Sequence, residues 1–187
     1  MQKKLIYIDT ETTGLDPKKA VIHQLAGIIE IDGIVKEEFD FRIKPYGDNP
    51  EISDKALEIS GVSREEISHY EGSLESFYKF KSLLKKYVDP FNRNDKFIVV
   101  GYNCHAFDMQ FLREFWKAHN DNYFGSFFHQ LPIDVLLLVS YLNQDRKEIK
   151  SFKLIDMVSH YLGKEFPAHD ALEDVKVTRE LYKCINV

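Results

Sequence analysis

Cysteine is nearly absent from this chain of 187 residues, with only Cys104 and Cys184 present. Two thiols build no disulfide framework, so the fold must rest on a hydrophobic core, and a reducing, cytoplasmic setting is expected. Long apolar runs are missing as well. No stretch approaches the roughly 20 apolar residues of a membrane span, so no membrane partner is expected. The start, Met1-Gln2-Lys3-Lys4-Leu5-Ile6-Tyr7, turns acidic too soon afterwards to read as a secretory signal. Positive charge is in deficit: 25 Lys and Arg against 30 Asp and Glu leave a net −5. That balance argues against a protein that coats nucleic acid through bulk positive charge. Repeats, low-complexity tracts and linkers are not found either. What is present, 44% hydrophobic and 13% aromatic side chains, suffices for a substantial core. A single α/β domain over residues 1–187 is the economical reading.

Two halves read differently. Residues 4–10 are apolar on both faces, Leu5 and Tyr7 against Ile6 and Ile8, as in a strand covered on both sides. Residues 21–31 and 34–43 are β-prone and joined at Asp32-Gly33, a favoured two-residue hairpin turn. Residues 96–102 form a fourth β-branched run. An antiparallel meander of three strands, with a further strand arriving after a helical segment, is therefore expected. The remainder is mostly helical. Leu74, Phe77, Phe80, Leu84 and Tyr87 recur at helical spacing behind a candidate Ser73 cap. Further stripes are Phe107, Phe111, Leu112, Phe115; Leu154, Ile155, Val158, Leu162, ended by Gly163; and Ala171, Val175, Thr178, Tyr182, Ile185. Residues 89–95 and 121–128 read as loops.

Candidate chemistry lies in the acids. Asp9 and Glu11 stand two apart at the end of the first strand, so period-two geometry points both to one face. Two carboxylates there repel, and burying them unpaired is costly. A divalent cation removes both problems, and an oxygen-rich set suits Mg²⁺ or Mn²⁺. Asp108 follows the fourth strand on the inward stripe of its helix, ahead of Phe111 and Leu112. In His169-Asp170-Ala171-Leu172-Glu173-Asp174, Asp170 and Glu173 read as an N-cap with its capping-box partner. His169 and Asp174 then occupy the two staple positions, whose side chains normally touch. Taken singly, each feature has an ordinary explanation: a turn, a dipole-stabilising acid, a helix cap. Together, four acids and a histidine at a strand end, an inward helix face and a helix entrance fit two-metal phosphoryl chemistry. In that chemistry the acids hold two divalent ions and His169 accepts a proton from the attacking water.

These residues resemble the DEDDh branch of the 3′→5′ exonucleases, the DnaQ-like group that includes the proofreading epsilon subunit of bacterial DNA polymerase III. The first motif is Asp9, Glu11, Thr12, Thr13, Gly14 and Leu15; the second is Asn103 with Phe107 and Asp108; the third is His169, Ala171 and Asp174. Lys44-Pro45 and Ile59-Ser60-Gly61-Val62 match as well, and the likeness spans roughly residues 4–183. It implies a ribonuclease H-like fold, a mixed five-stranded sheet flanked by helices. It implies hydrolysis from a free 3′ end that releases nucleoside 5′-monophosphates, with Asp9, Glu11, Asp108, His169 and Asp174 catalytic and the four acids holding metal. The resemblance assigns substrate contacts to Thr10, Thr12, Thr13, Gly14, Leu15, Asn103 and Phe107, with Leu15 wedging near the terminal base. His169 in place of a tyrosine marks the DEDDh branch.

Two features depart from the family. Tyr102 stands where a histidine often precedes the motif asparagine, and His105 follows it; His105 is not read as the base. The chain ends at Val187, soon after its final helix, without the tail by which the epsilon subunit docks on its polymerase. It is therefore expected to work alone or as the nuclease portion of a larger system, with a DNA polymerase as the candidate partner. Three rivals are weighed. A catalytically dead binding module would normally have lost a key residue, and none is missing. His169-Asp170 matches the dipeptide of all-helical HD-type phosphohydrolases, which the strand-rich first half opposes. An exoribonuclease of the ribonuclease T or oligoribonuclease type shares the same acids; Thr12-Thr13 leans toward DNA. The lysines at 79, 81, 85 and 86 read as a solvated face, as do Arg146, Lys147, Lys150 and Lys153, although the second set precedes the helix leading to the third motif and a phosphate-backbone contact there stays open; Asp134 reads as structural.

Overall fold

The strand nearest the N-terminus forms the centre of the molecule, because both of its faces are apolar. In the computed structural model, which describes residues 2–167 and 169–185, this strand is β1 (Lys4–Thr12). The outermost residues of the expected domain, Met1 and Asn186–Val187, lie outside the described residues. β2 (Ile22–Ile31) and β3 (Ile34–Arg42) complete an antiparallel meander. Asp32 and Gly33 turn the hairpin with φ of 50° and 83°, the two left-handed residues that a type I′ turn requires. The chain continues through α1 (Asp54–Ile59), α2 (Arg64–Ser68), α3 (Ser73–Lys85), β4 (Ile98–Gly101), α4 (Asp108–Ala118), α5 (Phe124–Phe127), β5 (Ile133–Asp134), α6 (Val135–Leu142), α7 (Leu154–Leu162) and α8 (Ala171–Ile185). The sheet order is β3-β2-β1-β4-β5, with β4 and β5 parallel to β1. This is a mixed five-stranded sheet between helical layers.

Alternation along β1 sorts the core into two layers. Ile6 and Ile8 meet α3 and α4 through Phe77, Phe80, Leu84, Phe111, Leu112, Phe115 and Trp116. Leu5 and Tyr7 meet α6, α7 and α8 through Val135, Val139, Met157, Val175, Leu181 and Tyr182. No helix among the described residues is long and apolar enough to cross a membrane.

Local expectations are corrected in three places. Ser73 is the first residue of α3, not its cap; Gly72 holds the cap position, and the Ser73 hydroxyl meets His119 Nε2 at 3.2 Å. Leu74 lies on the outer face at 53% exposure, while Phe77, Phe80 and Leu84 face inward. Residues 121–128 are not a plain loop, because Phe124, Phe127 and Phe128 are buried around a single helical turn. Residues 135–142, where no stripe is read, are a helix apolar or aromatic at every position but Ser140, which leaves no one-sided stripe to betray it.

Candidate active site

A difference in strand length creates the site. β1 pairs with β4 only as far as Tyr7 opposite Val100, yet its pairing with β2 runs on to Thr12. The last residues of β1 therefore border a notch beyond the end of β4, and the entrances of α4 and α8 fold into it. Gly101 makes the turn out of β4 feasible. A Cβ there would lie 2.6 Å from the Cys104 Cβ and 2.9 Å from the Ile8 carbonyl oxygen. Asp134 then shapes the loop: its two carboxylate oxygens accept from Asn103 N–H (2.9 Å) and His105 N–H (3.0 Å), and Oδ1 also caps α6 through Leu136 N–H (3.1 Å). Asn103 sits in the left-handed region at φ 60°, which asparagine tolerates better than most residues.

Asp9 and Glu11 lie opposite Ala26 and Gln24 on the face that α8 covers. Oxygens of Asp9, Glu11 and Asp174 all lie within 4.8 Å of one another. At that separation two unit charges repel by about 3.5 kcal/mol at an effective dielectric near 20. Asp108 stands outside this tight trio, buried at the start of α4, where Thr10 Oγ1 donates to its Oδ1 at 2.6 Å. Ser60, at the end of α1, donates to Glu11 Oε2 at 2.8 Å.

Burial dominates the protonation of all four acids. It drives the Asp9 carboxyl well above the ordinary range, and the charges of Asp108, Asp174 and Glu11 add to the effect. Burial pushes Glu11 up to about 7 against the Ser60 hydrogen bond, and Asp108 up to about 7 against the Thr10 hydrogen bond. Asp174 rises to about 6, burial again outweighing the His169 N–H. A set of acids held this close and partly dehydrated is suited to a cation. Asp174 Oδ1 is buried with no hydrogen-bond partner among the described residues, which fits an atom able to ligate a metal. All the donors are hard carboxylate oxygens, the set that suits Mg²⁺ or Mn²⁺.

His169 reaches the site differently from the staple geometry. Its backbone N–H, not its imidazole, meets Asp174, at 3.3 Å from Oδ2, and the imidazole is exposed. The residue has φ 73°, a left-handed conformation that costs about 1–2 kcal/mol for a side chain bearing a Cβ. Asp170 does cap α8, accepting from Leu172 and Glu173 N–H at 3.1 and 3.3 Å, but the Glu173 carboxylate pairs with Lys176 instead of returning to the cap.

The candidate substrate contacts divide into two groups. Thr10, Thr12 and Thr13 are buried, and their hydroxyls bond Asp108, the Gly14 carbonyl and the Glu51 carbonyl respectively. Each of these hydroxyls thus has its single proton committed within the protein. Gly14 is buried beside Ala20. Leu15 is 82% exposed, Asn103 is exposed, and Phe107 is half-buried at the start of α4, its ring 4.9 Å from that of Phe111. Sequence reasoning missed the hold of Ser60 on Glu11 and of Asp134 on the second motif. Ser60 lay within a recognised motif without a role, whereas the bonds of Asp134 span 31 and 29 residues and leave no local signal.

Comparison with known proteins gives this geometry a context. A family model described as Exonuclease, RNase_T, matches residues 6–182. The DNA polymerase III PolC-type proteins of Thermotoga petrophila and Thermotoga maritima are each 28% identical over 177 residues. That match takes in 95% of this chain but only 11% of each relative, so the chain spans about a tenth of the length of the curated relatives it matches. Among solved structures, E. coli exonuclease I in complex with a dT13 oligonucleotide aligns with a TM-score of 0.78 at 22% identity, over 99% of this chain and 41% of that one. The zinc-bound form of the E. coli exonuclease I complex with single-stranded DNA aligns with a TM-score of 0.74 at 21% identity, over 100% and 41%. At such identities the likeness establishes the fold.

Proposed function

The chain belongs to the exonuclease family, of the DEDDh 3′→5′ type, and on that premise we propose that it hydrolyses phosphodiester bonds from the 3′ end of nucleic acid, releasing nucleoside 5′-monophosphates. The observation that carries this reading is the convergence of oxygens of Asp9, Glu11 and Asp174 within 4.8 Å of one another, with one Asp174 oxygen buried and unpartnered among the described residues. Asp9, Glu11, Asp108 and Asp174 are the residues that would hold two divalent ions, Mg²⁺ or Mn²⁺. When bound, such ions supply charge stabilisation for the phosphoryl group and activation of water near neutral pH.

The remaining work falls to the protein's own groups. Thr10 keeps one Asp108 oxygen occupied, and Ser60 does the same for Glu11, so both carboxylates are oriented before any ligand arrives. The exposed His169 imidazole, at the mouth of α8, accepts the proton of the attacking water. Leu15, projecting from the turn after β1, offers an apolar face to the terminal base, and Asn103 and Phe107 border the same notch. Single-stranded or frayed DNA is the favoured substrate; the polymerase relatives and the oligonucleotide-bound exonuclease I support it. A DNA polymerase, as a separate partner or as the rest of a longer polypeptide, is the setting in which such an activity serves proofreading.

The deciding assay is digestion of 5′-labelled single-stranded DNA, RNA and mismatched duplex with Mg²⁺, Mn²⁺ or EDTA. Descending ladders on DNA that vanish with EDTA and with Asp9→Ala are expected. Full activity in either condition would refute the metal reading, and a ladder on RNA alone would move the assignment to an exoribonuclease.

A further inference from the structure

An ion pair reaches the entrance of α8 from the far edge of the sheet. Arg42 is the last residue of β3, opposite Gln24 of β2. Its Nη2 donates to Asp170 Oδ2 at 2.8 Å and lies 3.3 Å from Asp40 Oδ2. The other Asp170 oxygen is already committed to the cap of α8. Gln24 closes the set: its Nε2 donates to Asp40 Oδ1 at 3.0 Å and to Asp170 Oδ2 at 3.5 Å, while its Oε1 accepts from Ala171 N–H at 3.5 Å. Two strands thus hold the first residues of one helix.

The position of this clamp is what gives it significance. The residue before Asp170 is His169, whose left-handed backbone persists only if its surroundings determine it. One side is tied by its N–H to Asp174. The clamp on Asp170 fixes the other. As a contribution to global stability the pair is minor, since both side chains are more than a third exposed and such pairs are worth little. Its consequence is geometric. A guanidinium suits the task better than an ammonium, because its planar fork spans two carboxylates at once.

We infer that Arg42 is a positioning residue for the proposed hydrolysis: by clamping Asp170 it sets the His169 backbone and the first turn of α8, and with them the imidazole and the Asp174 carboxylate against Asp9 and Glu11. This rests on the functional reading above. Arg42 itself touches none of the reacting groups.

The test compares Arg42→Met, Asp170→Asn, the double variant and Arg42→Lys in the full chain. Asn at position 170 keeps the helix cap while removing the charge. Lys86→Met, which breaks the Lys86–Glu37 pair on the same strand, controls for loss of one positive charge. Turnover of a 5′-labelled oligonucleotide with Mg²⁺ is measured beside the melting temperature and, without metal, amide hydrogen exchange at His169 and Asp174. Arg42→Met is expected to lower kcat about 10- to 100-fold with KM within about twofold, as small misplacements of reacting groups do. Exchange at both amides should quicken while melting shifts by only a few degrees. The double variant should be no worse than the poorer single, Arg42→Lys should recover part of the loss, and Lys86→Met should match the wild type. A raised KM with intact kcat would make Arg42 a substrate contact and overturn the inference, as would unchanged kcat and exchange. If the wild type shows no nuclease activity sensitive to Asp9→Ala, the functional reading fails instead, and the exchange rates still decide whether the clamp holds His169.

Discussion

Replacing Asp174 by Asn should make the metal-free protein more stable while destroying its activity. Asp174 is 9% exposed, and burial lifts its carboxyl from 3.8 to about 6. A carboxyl that binds its proton more tightly when folded stabilises the protein only while protonated. The folded state holds more protons than the unfolded chain between pH 3.8 and about 6, so stability falls as pH rises through that window. Above it the ionised group costs about 3 kcal/mol, at about 1.4 kcal/mol per pH unit. Asn carries no such charge, and its carbonyl can still accept the His169 N–H. Thermal melts in EDTA at pH 8 should place Asp174→Asn about 6–12 °C above the wild type, at about 2–4 °C per kcal/mol for a domain of this size. At pH 4 the two should coincide. Saturating Mn²⁺ should then raise the wild type and leave the variant nearly unmoved, since binding to the folded state alone stabilises it. If the variant melts lower by the same amount at both pH values, Asp174 is an ordinary stabilising carboxylate and the buried-charge argument is wrong.

Two further outcomes follow from the same geometry. His169→Asn keeps a residue that tolerates the left-handed backbone but removes the base, so single-turnover rates should fall about 10²- to 10⁴-fold with melting little changed; a loss below tenfold would remove His169 from that role. Asp134→Ala strands the N–H groups of Asn103, His105 and Leu136, and urea unfolding should show a loss of about 2–4 kcal/mol together with weakened activity. Asp134→Asn should recover part of both.

The central strand and the hairpin were legible because their signals are local. Leu5 and Tyr7 alternate with Ile6 and Ile8 within four residues, and Asp32-Gly33 is a turn by its own chemistry. The acids were legible for a related reason: a strand fixes the relative direction of Asp9 and Glu11, whatever surrounds it. What escaped was set by distance or brevity. β5 is two residues long, and α1 and α2 are six and five, too short for a periodic stripe. Ser63 and Glu66 nonetheless carried a cap signal, Ser63 Oγ accepting from Glu66 N–H at 3.0 Å. Arg42 and Asp170 lie 128 residues apart, and nothing in either neighbourhood announces the other. The expected contact of His169 with Asp174 was right in its partners but not in its atoms, because a positive φ turns the imidazole outward and presents the N–H.

The acidic balance of the chain takes its meaning from this arrangement. A net charge of −5 spread evenly would only weaken contact with phosphate at long range. Here, however, four acids gather near one notch; burial raises all of them, and the charges of the other site acids add to the effect at Asp9 and Glu11. In the proposed chemistry two divalent ions would carry the formal charge from −5 to about −1, and nearly all of that change would fall at the 3′-terminal phosphate. In that proposal the notch repels a phosphodiester without metal and would attract one once loaded. The deficit of positive charge therefore argues against a protein that coats nucleic acid, but it is compatible with one that grips a few nucleotides at an end. Thr10 and Ser60 each donate to a site carboxylate, Asp108 and Glu11 respectively, and as neutral hydroxyls they orient these acids without competing for a cation.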